Sequence, residues 1–179
     1  MLLGMSLATF TLVHVIISLI GIATGIIVVF GMFASNRMPA MTAVFLITTI
    51  LTSVTGFMFP FKAFGPPHAF GVLSLILLTF TLLGYYKYHL VGRWRAIYVL
   101  TAIISLYLNV FVLVVQVFQK IPSLNQFAPK GNEPPFAATQ GIVLVLFVLA
   151  GWRAMKKFHP PGNGGVVFGR PGSPAAKLG

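Results

Sequence analysis

The sequence predicts an all-α integral membrane protein: a helical bundle of about five transmembrane helices followed by a disordered C-terminal tail. Three observations carry that prediction. The chain is 58% hydrophobic and only 7% charged, where a soluble domain would be about a quarter charged. It cannot offer water a compatible surface as one globule, so a bilayer must be its solvent. Its apolar residues fall into five long runs, about 10–33, 40–59, 68–86, 95–118 and 136–152, joined by polar loops. Its charge is one-sided, with net charge +11 and Glu133 as the sole acid. The cations sit between and after the apolar runs. They therefore point to anionic lipid headgroups and to topology rather than to nucleic acid.

The first run, 10–33, carries no formal charge and at about 1.5 Å per residue crosses about 30 Å of hydrocarbon. No Lys or Arg precedes it, as a secretory signal would require, so it reads as a permanent span. His14, Ser18, Gly21 and Gly25 share one helical face. Gly21 and Gly25 form a small-xxx-small pair suited to close helix packing. The second run, 40–59, crowds Thr48, Thr49, Thr52, Ser53 and Thr55 toward one end. Such hydroxyls bond back to the preceding turn and need no further role.

The stretch 55–71, TGFMFPFKAFGPPHAFG, reads as a hairpin at a membrane surface. Prolines and glycines break the helix there, aromatics mark the interface, and Lys62 and His68 face water. The third run, 68–86, closes on Tyr85, Tyr86 and Tyr88. The fourth, 95–118, carries the clearest polar stripe, Tyr98, Thr101, Ser105, Asn109 and Gln116. The fifth, 136–152, is the shortest, with Gln140 near its start. A four-span reading would leave it on the surface. Residues 1–153 thus form the bundle, and 154–179 a basic, Gly- and Pro-rich tail that cannot bury enough apolar area to order itself.

Five spans put the termini on opposite sides. With the N-terminus outside, nine cations (Arg37, Lys87, Arg93, Arg95, Arg153, Lys156, Lys157, Arg170, Lys177) lie in the cytoplasm and three (Lys62, Lys120, Lys130) outside. The positive-inside rule then favours N-out and C-in.

Polar side chains cluster toward the outer half: His14, Ser18, His68, Asn109, Gln116 and Gln140. In hydrocarbon each needs a partner. One shared site entered from the outer face would satisfy them, and intramembrane ionisable residues are functional candidates. A buried hydrogen bond from His14 to Asn109 or Gln116 is the structural alternative. Two function classes follow. One is a non-enzymatic component, either an accessory subunit or the binder of a lipid- or quinone-type ligand, with no cofactor. The other is a b-type haem electron carrier with His14 and His68 as axial ligands. Membrane lipids are the expected partners, with other membrane subunits or a second copy as further candidates.

Other chemistry lacks its residues. No carboxylate pair exists for acid–base work, and no span contains Asp or Glu for ion coupling. The absence of cysteine removes thiolate metal sites and covalent haem attachment. In its short loops, few charges and basic ends, the stretch 10–153 resembles the small polytopic proteins of bacterial inner membranes. That resemblance implies a location in such a membrane and no particular activity.

Overall fold

A computed structural model describes residues 4–60, 65–131 and 133–160. The chain is an integral membrane bundle of five long apolar helices. In order these are α1 (Leu7–Phe33), α2 (Pro39–Gly56), α3 (Pro66–Leu82), α4 (Arg93–Lys120) and α6 (Pro134–Lys157). The short α5 (Pro122–Asn125) lies in the loop before α6. The fifth run is therefore a full-length helix, long enough to cross a bilayer. Residues 161–179, where the disordered tail is expected, lie outside the described residues, as does Lys62 in the hairpin.

Each boundary has a local cause. Ser6 caps α1, its Oγ accepting the Thr9 N–H at 3.1 Å. Ser35 and Met38 are left-handed, and Pro39 occupies the first turn of α2, where its missing N–H costs nothing. Gly65 and two prolines open α3. A π-helical turn, Leu83–Lys87, closes it. Gly92, at φ 56°, turns the chain into α4.

The core is built around α4, which packs against each of the other four long helices. Its polar stripe faces inward from Tyr98 to Asn109, Gln116 at its far end is exposed, and its apolar residues Leu100 and Ile104 face out. This inversion of a soluble helix is what a lipid solvent demands. Thr101 meets Thr81 of α3 at 2.8 Å, and Tyr98 is buried against Tyr85 and Phe158. On the other side, α1 crosses α2 and α4 at its glycines. A Cβ on Gly25 would lie 2.6 Å from Leu106 Cδ1 and 2.9 Å from the Phe45 ring.

The helix α6 runs past the expected end at 152 and on to Lys157. Ala154 and Phe158 are fully buried. Arg95 Nη1 donates to the carbonyls of Met155 at 3.1 Å and Phe158 at 2.7 Å, closing the helix C-terminus with a cation. The His159 N–H donates to Ser35 Oγ at 2.8 Å. A segment that composition assigned to the tail is thus packed through His159. Ala154 and Phe158, four residues apart, were the available signal.

Candidate functional site

The six polar residues singled out by sequence do not gather at one point. His14 is half-buried near the N-terminal end of α1. Its Nδ1 is 2.7 Å from Thr55 Oγ1 on α2, and its ring stands edge-on to Phe59 at 5.1 Å. Thr55 has one hydroxyl proton and directs it to Leu51 O at 2.6 Å. The bond to His14 is therefore one in which Nδ1–H donates, leaving a lone pair on Nε2. The partner is a threonine of α2, not Asn109 or Gln116 of α4. Thr55 lies at the C-terminal end of α2, which the short connection after Phe33 folds back along α1, a pairing periodicity alone does not reveal.

His68 is a capping residue. Its Nδ1 accepts the Gly65 N–H at 3.3 Å, while its own N–H donates to Gly65 O at 3.0 Å. Its ring lies 6.0 Å from that of Phe57. An Nδ1 that accepts leaves the proton on Nε2 in the neutral ring. Ser18 bonds within its own helix, to Val15 O at 2.8 Å. Gln140 fastens α6 to α4 by donating from Nε2 to Phe111 O at 3.1 Å. Gln116 is exposed. Its angular position on α4 still matches that of Asn109, but nothing opposite encloses it.

Asn109 sits elsewhere, at the crossing of α1, α2 and α4. From the position a Cβ on Gly21 would take, Thr48 Oγ1 is 3.1 Å away, Thr49 Oγ1 3.2 Å and Asn109 Nδ2 3.5 Å. Gly21 is thus the floor of a small polar node with a hydroxyl pair on one wall and a carboxamide on the other. Thr48 directs its proton back to Val44 O at 2.7 Å. Thr49 Oγ1 and Asn109 Nδ2 are both buried and have no hydrogen-bond partner. Ser105 Oγ, one turn along α4 from Asn109, is in the same condition, as is Gln140 Oε1.

Back-bonding was expected for all the α2 hydroxyls. Thr48, Thr52, Ser53 and Thr55 do bond back, and Ser53 also meets Ser74 of α3 at 3.2 Å. Thr49 does not, although the sequence groups it with the others. The signal was its position opposite Gly21, which only the helix crossing supplies.

Chemically the node can donate and accept hydrogen bonds at intramembrane depth. It offers no acid, no base and no nucleophile. Among the described residues no group of three or more His, Cys, Asp or Glu could hold a metal ion. In comparisons with protein-family models, curated proteins and solved structures, nothing matches this chain.

Proposed function

We propose that this protein is a non-enzymatic multi-pass component of a bacterial inner membrane that holds a small ligand of lipid or quinone type within its bundle. One observation carries the reading. Thr49 Oγ1, Ser105 Oγ and Asn109 Nδ2 are buried and unpartnered in a helix bundle whose surroundings are hydrocarbon. An unmade hydrogen bond there costs about 1–3 kcal/mol per group. A ligand with one or two polar atoms on an apolar body would satisfy the node and tolerate its walls. His14 adds an Nε2 acceptor nearer the hairpin end of α1, two turns from Gly21. The orientation is N-out and C-in, supported by the cations at the opposite end of the bundle.

The test is extraction. Protein purified in mild detergent is extracted with organic solvent, and the extract analysed by mass spectrometry against the Thr49→Val, Asn109→Leu double variant. A species present at near-stoichiometric yield in the native chain and depleted in the variant is expected. Identical extracts would end the proposal.

The haem reading has one observation in its favour, the Nε2 lone pair of His14. The cap of His68 works against it, since that ring carries its proton on Nε2 while Nδ1 accepts from Gly65. Ligation by His68 would require the cap to break. A reduced-minus-oxidised visible spectrum separates the two readings: a Soret band lost in both His14→Ala and His68→Ala would establish haem. We expect colourless protein.

A further inference from the structure

The end of the bundle opposite His14 carries a second site. A cavity of about 300 Å³ is lined by Arg37, Pro39, Tyr85, Tyr86 and His89, at the lower end of the range for ligand clefts. Its parts come from two loops and the π-helical turn between them. Arg37 belongs to the α1–α2 connection and Pro39 opens α2. Tyr85 and Tyr86 lie in the turn, and His89 follows it. The backbone is held firmly. The Arg37 carbonyl accepts from Thr42 Oγ1 at 3.0 Å and from Tyr85 Oη at 3.2 Å. The Leu90 N–H returns to Gly84 O at 2.9 Å.

The guanidinium of Arg37 lies over the Tyr85 ring, 5.4 Å from its centroid. That arrangement engages the face of the cation and leaves its N–H fork for another group. Among the described residues no carboxylate supplies that group. Glu133 caps α6 at the far end of the molecule, and Lys87, Arg93, Arg95, Arg153, Lys156 and Lys157 all share the end with Arg37. The non-glycine residues with positive φ among those described are Ser35, Met38, His89 and Leu90, and all lie in the two loops that border the cavity. Strained backbone gathers where geometry is held for a purpose.

We infer that this cavity is a site for the phosphodiester of an anionic phospholipid headgroup. Arg37 would meet the phosphate oxygens through its fork, His89 would donate from an imidazole N–H, and Pro39 and the tyrosine rings would meet the glycerol backbone. A lipid, rather than free phosphate, fits the position. The cavity opens where apolar helix ends meet an aromatic belt of Tyr85, Tyr86, Tyr88 and Trp94, and basic pockets between membrane helices take such headgroups.

Native mass spectrometry of the full chain in detergent tests this. Phosphatidylglycerol and phosphatidylcholine are titrated separately into the native protein and into Arg37→Gln, His89→Asn and Arg153→Gln. Asparagine tolerates the left-handed backbone at 89. Arg153 serves as the control, because its guanidinium lies over Phe33 at 5.2 Å, outside the cavity. One phosphatidylglycerol is expected to bind in preference to phosphatidylcholine. Arg37→Gln should weaken it about tenfold, His89→Asn should weaken it less, and Arg153→Gln should leave it within about twofold. If Arg37→Gln does not fold, His89→Asn carries the comparison. Equal losses in the tested variant and Arg153→Gln would show a diffuse charge effect and overturn the site. Equal retention of phosphatidylcholine would do the same. Displacement of the lipid by millimolar inorganic phosphate, dependent on Arg37, would replace the lipid with free phosphate and overturn the assignment.

Discussion

Replacing Gly25 by alanine isolates the contribution of close backbone approach to this bundle. The added Cβ would lie 2.6 Å from Leu106 Cδ1 and 2.9 Å from two atoms of the Phe45 ring. Ordinary carbon contacts are about 3.5–4.0 Å, so the overlap is about 1 Å. Leu106 and Phe45 are only 1% and 2% exposed, so any displacement must be taken up inside the packed bundle. Either α1 moves out or both side chains leave their rotamers, at about 1–3 kcal/mol. Alanine returns about 0.5–1 kcal/mol through its helix propensity, so the net loss lies between about 0 and 2.5 kcal/mol, centred near 1. Gly21→Ala meets Thr48 Oγ1 at 3.1 Å and Thr49 Oγ1 at 3.2 Å, which need shift only by tenths of an ångström. Its net change should lie within about 0.5 kcal/mol of zero. Gly141→Ala meets nothing within 4 Å and should stabilise by about 0.5–1 kcal/mol. Equilibrium unfolding in mixed micelles, with increasing fractions of denaturing detergent, ranks the three. If Gly25→Ala is as stable as Gly141→Ala, the helices do not approach closely at residue 25 and the packing argument is wrong.

The remaining predictions concern the node, the helix end and the topology. Thr49→Val removes a buried hydroxyl that has no protein partner. It should stabilise ligand-stripped protein by about 1–3 kcal/mol and lose that gain when the native ligand is present, read by thermal unfolding before and after delipidation. Arg95→Gln removes the charge that donates to Met155 O and Phe158 O. It should cost about 2 kcal/mol and speed hydrogen exchange in the last turn of α6; unchanged exchange would dismiss the lock. The chain has no cysteine, so single thiols report access without background. Val112→Cys should react with an impermeant maleimide added from the hairpin side if the node opens to water there, and silence at this position would make the node a closed one. A reporter fused after Gly179 should read cytoplasm, and an exported fusion would invert the orientation.

Much of the architecture was legible in the one-dimensional pattern, because a bilayer imposes a nearly one-dimensional constraint. Every backbone polar group must be satisfied within its own helix. Run length and charge therefore select the spans without reference to the neighbours. The five apolar runs became the five long helices, and the stripe of Tyr98, Thr101, Ser105 and Asn109 faces the interior that its period implied. Proline or glycine marked the starts of α2, α3, α4 and α6, while the left-handed positions Ser35, Met38, His89 and Leu90 carry no such mark.

What the pattern could not decide was which faces meet, and at what depth. Asn109 and Gln116 share an angle on α4, yet one is held against Gly21 and Thr49 while the other is exposed. His14 found Thr55 because α2 returns along α1 and sets its hydroxyl-rich end beside the first turns of α1. Thr49 differs from Thr48 only by one step around the helix, and that step turns a satisfied hydroxyl into an orphan. The basic cavity joins Arg37 to His89 through two loops distant in sequence. Phe158 becomes core because Tyr98 and Arg95 of α4 stand against it. Local sequence sets the backbone hydrogen bonds of each helix. Side-chain partners depend on the crossing of two helices, and that crossing is a property of the packed bundle alone.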